Sequence, residues 1–266
     1  MICRICTNEK GLKTLRVRRA QYIQCPMCHC MFVDPYPGRE LNQVFQGVET
    51  VERLEVEENN RRAYFDRRLA RLENRLGKAY RGARLLEIGC GAGILLQEAW
   101  RRGWKADAVE LSVELVAVAR RNNPEATIIT GDIQNLEPTG TPYDAIISLD
   151  VLEHVLVPMT MIENCREFLK PGGLLMLQTP NARSLRSRTQ GARWDMLDPD
   201  QHLNIFSPDA LRVLLTTVGF DILEMSTASG TGLERGAAGG VARVKESLLG
   251  LLNLGSALVV VARRPV

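Results

Sequence analysis

The chain reads as an α/β protein: apolar strand-like runs alternate with helical segments from about residue 81 onward, the pattern that builds a parallel sheet covered on both faces. Two further features sharpen that class. One apolar run, Arg84-Leu85-Leu86-Glu87-Ile88, passes straight into the glycine turn Gly89-Cys90-Gly91-Ala92-Gly93 and then into a helix, a geometry that makes a pocket for a nucleotide-like ligand. Five of the seven cysteines crowd into the first thirty residues, which marks a small metal-held appendage rather than a disulfide scaffold. At 266 residues there is room for one full domain plus that appendage. The expected units are a zinc ribbon over residues 1–38, a linker and charged helix over 39–80, and the main α/β domain over 81–266.

In the ribbon, Cys3-Arg4-Ile5-Cys6 and Cys25-Pro26-Met27-Cys28 form two CxxC knuckles eighteen residues apart, and Leu12 to Ile23 alternates between them as a short hairpin. Such knuckles bring their thiolates to ~2.3 Å from one zinc ion; four thiolates close the site and make it structural, with no open position for catalysis. A segment this small draws its folding energy from the metal. Unliganded core cysteines are the plainer alternative, and His29 or Cys30 could replace Cys28 in the second knuckle. Asp34-Pro35-Tyr36-Pro37-Gly38 breaks any regular element and sets a boundary near residue 40. From Val51 to Tyr80 the chain is dense in Glu and Arg, with Leu54, Phe65, Leu69, Leu72 and Leu76 as an apolar stripe at helical spacing. It reads as a solvated helix packed on the main domain, or else as a lid over the pocket with Tyr64 touching the ligand.

Strands are expected at Arg84 to Ile88, Lys105 to Glu110, Ala126 to Thr130, Tyr143 to Leu149, Gly173 to Thr179, Phe220 to Met225 and Ala257 to Ala262. Ser112 and Ser207 are expected helix N-caps, with Pro208 in a first turn. On such a sheet ligands sit beyond the carboxyl ends of the strands. Gly89, Gly91 and Gly93 space as GxGxG rather than the GxGxxG of dinucleotide folds, which favours S-adenosylmethionine over NAD. Glu110 ends the second strand, twenty-one positions after Gly89, where a carboxylate can accept both ribose hydroxyls. Asp132 in Gly131-Asp132-Ile133 can accept the adenine amino group while Ile133 packs on the ring. Glu87 is a carboxylate inside an apolar strand, so it should meet backbone donors or the cationic amino-acid end of the cofactor.

Together these residues resemble class I S-adenosylmethionine-dependent methyltransferases over roughly residues 81 to 225. Leu85 to Gly93 looks like the family's first motif, and Leu169-Lys170-Pro171-Gly172-Gly173 like the turn before its fifth strand. The segment Asp150-Val151-Leu152-Glu153-His154-Val155, with Gln178-Thr179-Pro180-Asn181, is similar to the branch of quinone-biosynthesis and sugar or natural-product O-methyltransferases. The paired knuckles followed by Met31-Phe32-Val33-Asp34-Pro35 resemble zinc-ribbon members of that branch, often tied to surface-glycan biosynthesis. The resemblance implies a Rossmann-like seven-stranded methyltransferase sheet whose last strand, Ala257 to Ala262, is antiparallel. It also implies a cofactor site drawn from Glu87, Gly89, Cys90, Gly91, Gly93, Glu110, Leu111, Asp132, Ile133, Leu149 and Asp150. The stretch between Met225 and Ala257 departs from the family's tight connection and should shape the acceptor pocket.

Methyl transfer to a hydroxyl needs alignment, exclusion of water and a nearby base. His154, after the fourth strand, and His202, in the loop Asp198 to Phe206, are the candidates, with cofactor positioning and helix capping as their alternatives. Arg183, Arg186, Arg188 and Arg193 beside Trp194 could grip an anionic acceptor, or form a solvated lid. The reading is a methyltransferase for a small-molecule or glycan-type acceptor. An RNA methyltransferase gripping nucleic acid through the ribbon, and a non-enzymatic scaffold binding protein through it, are the competing functions. A net charge of +3 gives nucleic acid little support. No secretory leader is legible at Met1-Ile2-Cys3-Arg4, and Leu248 to Ala262 falls short of the ~20 apolar residues of a membrane span, so a cytoplasmic protein is expected.

Overall fold

A computed structural model describes residues 1–18, 20–35, 48–138, 140–228 and 254–266. Its main sheet has seven strands: β4 (Arg84–Ile88), β5 (Lys105–Glu110), β6 (Ile128–Thr130), β7 (Tyr143–Leu149), β8 (Leu169–Pro180), β10 (Asp221–Ala228) and β11 (Ala257–Arg263). They lie in the order β10-β11-β8-β7-β4-β5-β6. The ladders from β6 to β8 are parallel, whereas β11 pairs antiparallel with both β8 and β10. The reversed last strand and the seven-stranded Rossmann-like architecture agree with the sequence.

Successive strand residues serve opposite faces, which is why these strands are apolar throughout. Leu85, Ala145 and Ile147 pack with Leu69, Leu72, Leu95 and Leu96 on one face. Leu86, Ile88 and Ile146 pack with Met161, Ile162, Leu211 and Leu214 on the other. The first layer comes from α2 (Arg62–Leu76), α3 (Ile94–Arg102) and α4 (Val113–Asn122), the second from α5 (Pro158–Phe168) and α7 (Pro208–Thr217). Ser112 and Ser207 cap α4 and α7 as expected, accepting from Leu115 N and Ala210 N.

Several boundaries differ from the sequence reading. Strand β6 starts at Ile128 because Ala126 N turns back onto Asn123 O. Strand β8 starts four residues early and absorbs the expected Leu169 to Gly173 turn: Tyr143 pairs Leu169 while Ala145 pairs Leu174, so the extra residues bulge. The charged segment is two helices, α1 (Val48–Asn60) and α2, broken at Arg61, whose φ of −95° and ψ of 4° leave the helical path. The Tyr36-Pro37-Gly38 end of the linker, and most of the Met225 to Ala257 insertion, lie outside the described residues.

The ribbon is the antiparallel set β1 (Lys13–Val17), β2 (Ala20–Gln24) and β3 (Met31–Val33). Its sheet gains a fourth strand, β9 (Asn204–Ile205), from far downstream, with Met31 opposite Ile205 and Phe32 opposite Asn204. A short helix, α6 (Leu185–Gln190), precedes that strand.

Candidate functional site

A cavity of about 300 Å³ opens at the carboxyl ends of β4, β5 and β7. Its floor is the glycine turn. Gly89 has φ +75°, and a Cβ there would stand 2.4 Å from the Val151 side chain. Gly93, at φ +81°, caps α3 so closely against α4 that a Cβ would stand 2.4 Å from Asn123 Nδ2. Glu110 reaches back over the turn, accepting from Gly91 N at 3.0 Å and Ser112 N at 2.9 Å. Burial pushes its pKa up, and those backbone donors oppose the shift. Asp132 caps the next turn through Gln134 N at 2.9 Å, while Val109, Leu111, Leu115, Ile133 and Leu149 supply apolar walls. A flat heterocycle fits between such walls, and each carboxylate keeps lone pairs for ligand donors.

The opposite end is charged. Glu58 of α1 sets its carboxylate against the turn, accepting from Ala92 N at 3.1 Å, and burial pushes its pKa up to about 7. Arg61 Nη2 donates to Asp150 Oδ2 at 3.1 Å; Gln178 Nε2 donates to Asp150 Oδ1 at 2.9 Å; Arg68 in turn donates twice to Gln178 Oε1, at 3.0 and 2.7 Å. Asp150 holds a φ of +59°, uncommon for a side chain with a Cβ, and this clamp keeps it there. Behind the turn Glu87 is buried with Oε2 unpartnered, and desolvation pushes its pKa well up.

His154 lines the cavity, and its ring centroid lies 5.0 Å from that of His202. His154 Nδ1 meets Gln201 O at 2.8 Å and His202 Nδ1 meets Met196 O at 2.7 Å. A carbonyl oxygen only accepts, so each Nδ1 carries the hydrogen when the ring is neutral. Burial lowers the pKa of His154. Beneath them Glu153 takes a hydrogen bond from Thr179 Oγ1 at 2.9 Å, and burial pushes its pKa up to about 8. Ligand atoms of Glu153, His154 and His202 all lie within 4.8 Å of one another.

A methyltransferase-domain family model matches residues 57–225, more than half of the chain. This chain belongs to the class I S-adenosylmethionine-dependent methyltransferases. The ubiquinone biosynthesis O-methyltransferase of Cereibacter sphaeroides is 33% identical over 153 residues, 53% of this chain and 62% of that protein, so the chain spans less than two thirds of that relative's length. In fold the methyltransferase also resembles the S-adenosylmethionine complex of Haemonchus contortus phosphoethanolamine N-methyltransferase 2, at TM-score 0.63 and 15% identity over 96% of this chain and 71% of that one. Magnesium protoporphyrin IX methyltransferase from Synechocystis with bound SAH gives TM-score 0.56 and 19% identity over 82% and 88% of the two chains.

Within this methyltransferase the expected cofactor residues divide. Gly89, Gly91, Glu110, Leu111, Asp132, Ile133, Leu149 and Asp150 line the cavity; Glu87, Cys90 and Gly93 do not. His154 is on the wall and His202 stands beside it, outside the lining set. Tyr64 is buried between Arg61 and Arg68, at 4.7 and 4.6 Å from their guanidinium carbons, and does not line the cavity. Glu58 and Arg61 were not singled out by sequence reasoning, because nothing separates them from the neighbouring charges of α1 until the break at Arg61 aims them inward. In the ribbon, Cys3 Sγ lies 3.6 Å from Cys28 Sγ and Cys6 Sγ 3.5 Å from Cys25 Sγ, with all four sulfurs within 4.8 Å. Cys28, not His29 or Cys30, completes that set.

Proposed function

We propose that this methyltransferase moves a methyl group from S-adenosylmethionine to an oxygen of a small-molecule acceptor, and that its ribbon holds one structural zinc ion. The observation that carries the reading is a single cavity whose wall runs from Gly89, Gly91 and Glu110 at one end to Asp150 and His154 at the other. When bound, the cofactor supplies an electrophilic methyl group on sulfur. Glu110 would take the ribose hydroxyls and Asp132 the adenine amino group, with Ile133 and Leu149 against the ring. Glu58, Arg61 and Asp150 surround the amino-acid end. The protein's share of catalysis is alignment and exclusion of water.

His154 and His202 are the groups that would accept the acceptor's hydroxyl proton. Burial keeps His154 neutral at pH 7, the form a base needs, and the Nδ1 hydrogen on Met196 O leaves Nε2 of His202 as its proton-accepting atom. For an anionic, glycan-type acceptor the support is narrower: Arg183 pairs with Asp209 at 2.9 Å and Arg186 with Asp195 at 3.2 Å, so Arg188 and Arg193 carry that reading. Support for zinc comes from the sulfur spacing. Four thiolates at ~2.3 Å from one ion stand ~3.8 Å apart, close to the separations of the two sulfur pairs, and Asn8 Nδ2 donates to Cys25 Sγ at 3.8 Å.

The test is transfer of tritiated methyl groups from S-adenosylmethionine to 3,4-dihydroxybenzoate, as a hydroxyl-bearing probe, and to a cell extract. His154→Ala and His202→Ala are expected to lower turnover about a hundredfold. Unchanged turnover in both variants would remove the histidines from the reaction, and no labelled product from either source would remove the activity itself.

A further inference from the structure

We infer that the ribbon is the positioning element of the acceptor end of the site, acting through residues 194–207, with Tyr22 as its principal positioning residue. The inference rests on the proposed methyl transfer in placing the acceptor beside His154 and His202, and its chelation test rests on the proposed zinc ion, whose content is measured in the protein before chelation.

The 194–207 segment has little structure of its own. Its own hydrogen bonds are turns, Leu197 N on Trp194 O and Gln201 N and His202 N on Asp198 O, and its far end is tied to the main domain where Ala182 N donates to Phe206 O at 2.8 Å; between them β9, of two residues, is too short to stand as a strand without a partner. The partner is the ribbon. Strand β3 pairs with β9, and Val33 N donates to Leu203 O at 2.9 Å. Tyr22 is fully buried, and its hydroxyl donates to His202 O at 2.6 Å. The Ser207 hydroxyl donates to the carbonyl of Cys28, within the second cysteine knuckle. Val17, Tyr22, Met31 and Val33 of the ribbon form one small apolar core with Trp194, Leu197 and Ile205.

The other side of the same segment faces the site. Gln201 O fixes His154 through Nδ1, Met196 O fixes His202, and Asn204 Nδ2 donates to Val155 O at 2.7 Å. Both imidazoles are thus oriented by carbonyls of a segment that the ribbon holds in place. The Tyr22 bond falls on the peptide of His202 itself. Glu110, Asp132 and the glycine turn take no contact from this segment among the described hydrogen bonds. Loss of the ribbon should therefore disorganise the acceptor end and spare the cofactor end.

Two perturbations of the full chain test this. The first is removal of metal with 1,10-phenanthroline, read by hydrogen exchange and by calorimetric binding of S-adenosylhomocysteine. Exchange over 195–206 is expected to rise at least tenfold, while exchange over 84–94 and the dissociation constant stay within twofold. The second is Tyr22→Phe, which removes one hydroxyl and keeps the ring. It is expected to raise KM for 3,4-dihydroxybenzoate about tenfold with KM for S-adenosylmethionine within twofold. Unchanged exchange over 195–206 on chelation, or a fall in S-adenosylhomocysteine affinity together with it, would overturn the inference, as would a Tyr22→Phe enzyme with unchanged acceptor KM. If chelation loosens 195–206 but the wild-type chain methylates nothing, the ribbon's bracing role stands and the proposed transfer fails.

Discussion

Glu110, at the end of β5, and Glu153, in the turn that follows β7, show how burial treats one residue type in two surroundings. Glu110 is buried yet holds two backbone N–H groups, the arrangement that lets a carboxylate receive ribose hydroxyls without rearranging its strand. Glu110→Ala removes those acceptors, and at ~1.5–3 kcal/mol for hydrogen bonds to a charged group the affinity for S-adenosylhomocysteine should fall about tenfold to a hundredfold by calorimetry. An unchanged affinity would take Glu110 out of the cofactor site. Glu153 has one side-chain donor, Thr179, and burial pushes its pKa up to about 8. The folded state then keeps a proton that the unfolded chain releases near its ordinary value of 4.5, so the stability that Glu153 contributes is fully present below that value and is lost as pH rises toward 8. Glu153→Gln has no proton to lose. Its melting temperature should fall less than the wild type's between pH 5 and pH 8, and parallel curves would show that Glu153 ionises normally. Glu58 and Glu87 shift the same way, so the difference between the two proteins isolates Glu153.

Helices α3 and α4 meet at Gly93, and the fit there decides how well the glycine turn is held. An alanine would have to adopt φ +81° and place its Cβ 2.4 Å from Asn123 Nδ2 and 3.2 Å from Ala119 Cβ. Strain in that region costs of order 1–3 kcal/mol, so Gly93→Ala should lower the urea midpoint and weaken S-adenosylhomocysteine binding together. A variant with normal stability and normal binding would mean that the turn tolerates a side chain. This element was legible in the sequence because strand, GxGxG turn and helix are contiguous and each residue's role is local. The seven main strands were legible for the same reason, through apolar runs, and Ser112 and Ser207 through capping chemistry. Strand β9 was not. Two residues carry no periodicity, and their partner in β3 lies some 170 positions away, so Asn204 and Ile205 read as loop. The inward turn of Glu58 and Arg61 was equally hidden, since it depends on a backbone break at Arg61 that no proline or glycine announces.

At the scale of the whole molecule two kinds of stability are joined at one seam. The main sheet buries apolar residues on both faces and needs no metal to close. The ribbon is too small for that and places four cysteine sulfurs where a zinc ion would hold its knuckles. Its contacts with the rest of the chain include β9, the Tyr22 and Ser207 hydrogen bonds, the Arg18–Asp198 ion pair and the small core shared with Trp194 and Leu197, with Ile23 and Phe32 packed into the larger core. Heating should therefore unfold the molecule in two steps, the ribbon first and the sheet later, and chelation should lower only the first. S-adenosylhomocysteine at a hundred times its dissociation constant should stabilise only the second step, by ~2.7 kcal/mol, because ligand stabilises the unit that binds it. In differential scanning calorimetry that is one transition indifferent to S-adenosylhomocysteine and one that moves up. A single transition that shifts as a whole with both chelator and S-adenosylhomocysteine would show that ribbon and sheet fold as one unit, and that β9 couples the metal site to the cofactor site as tightly as to the acceptor end.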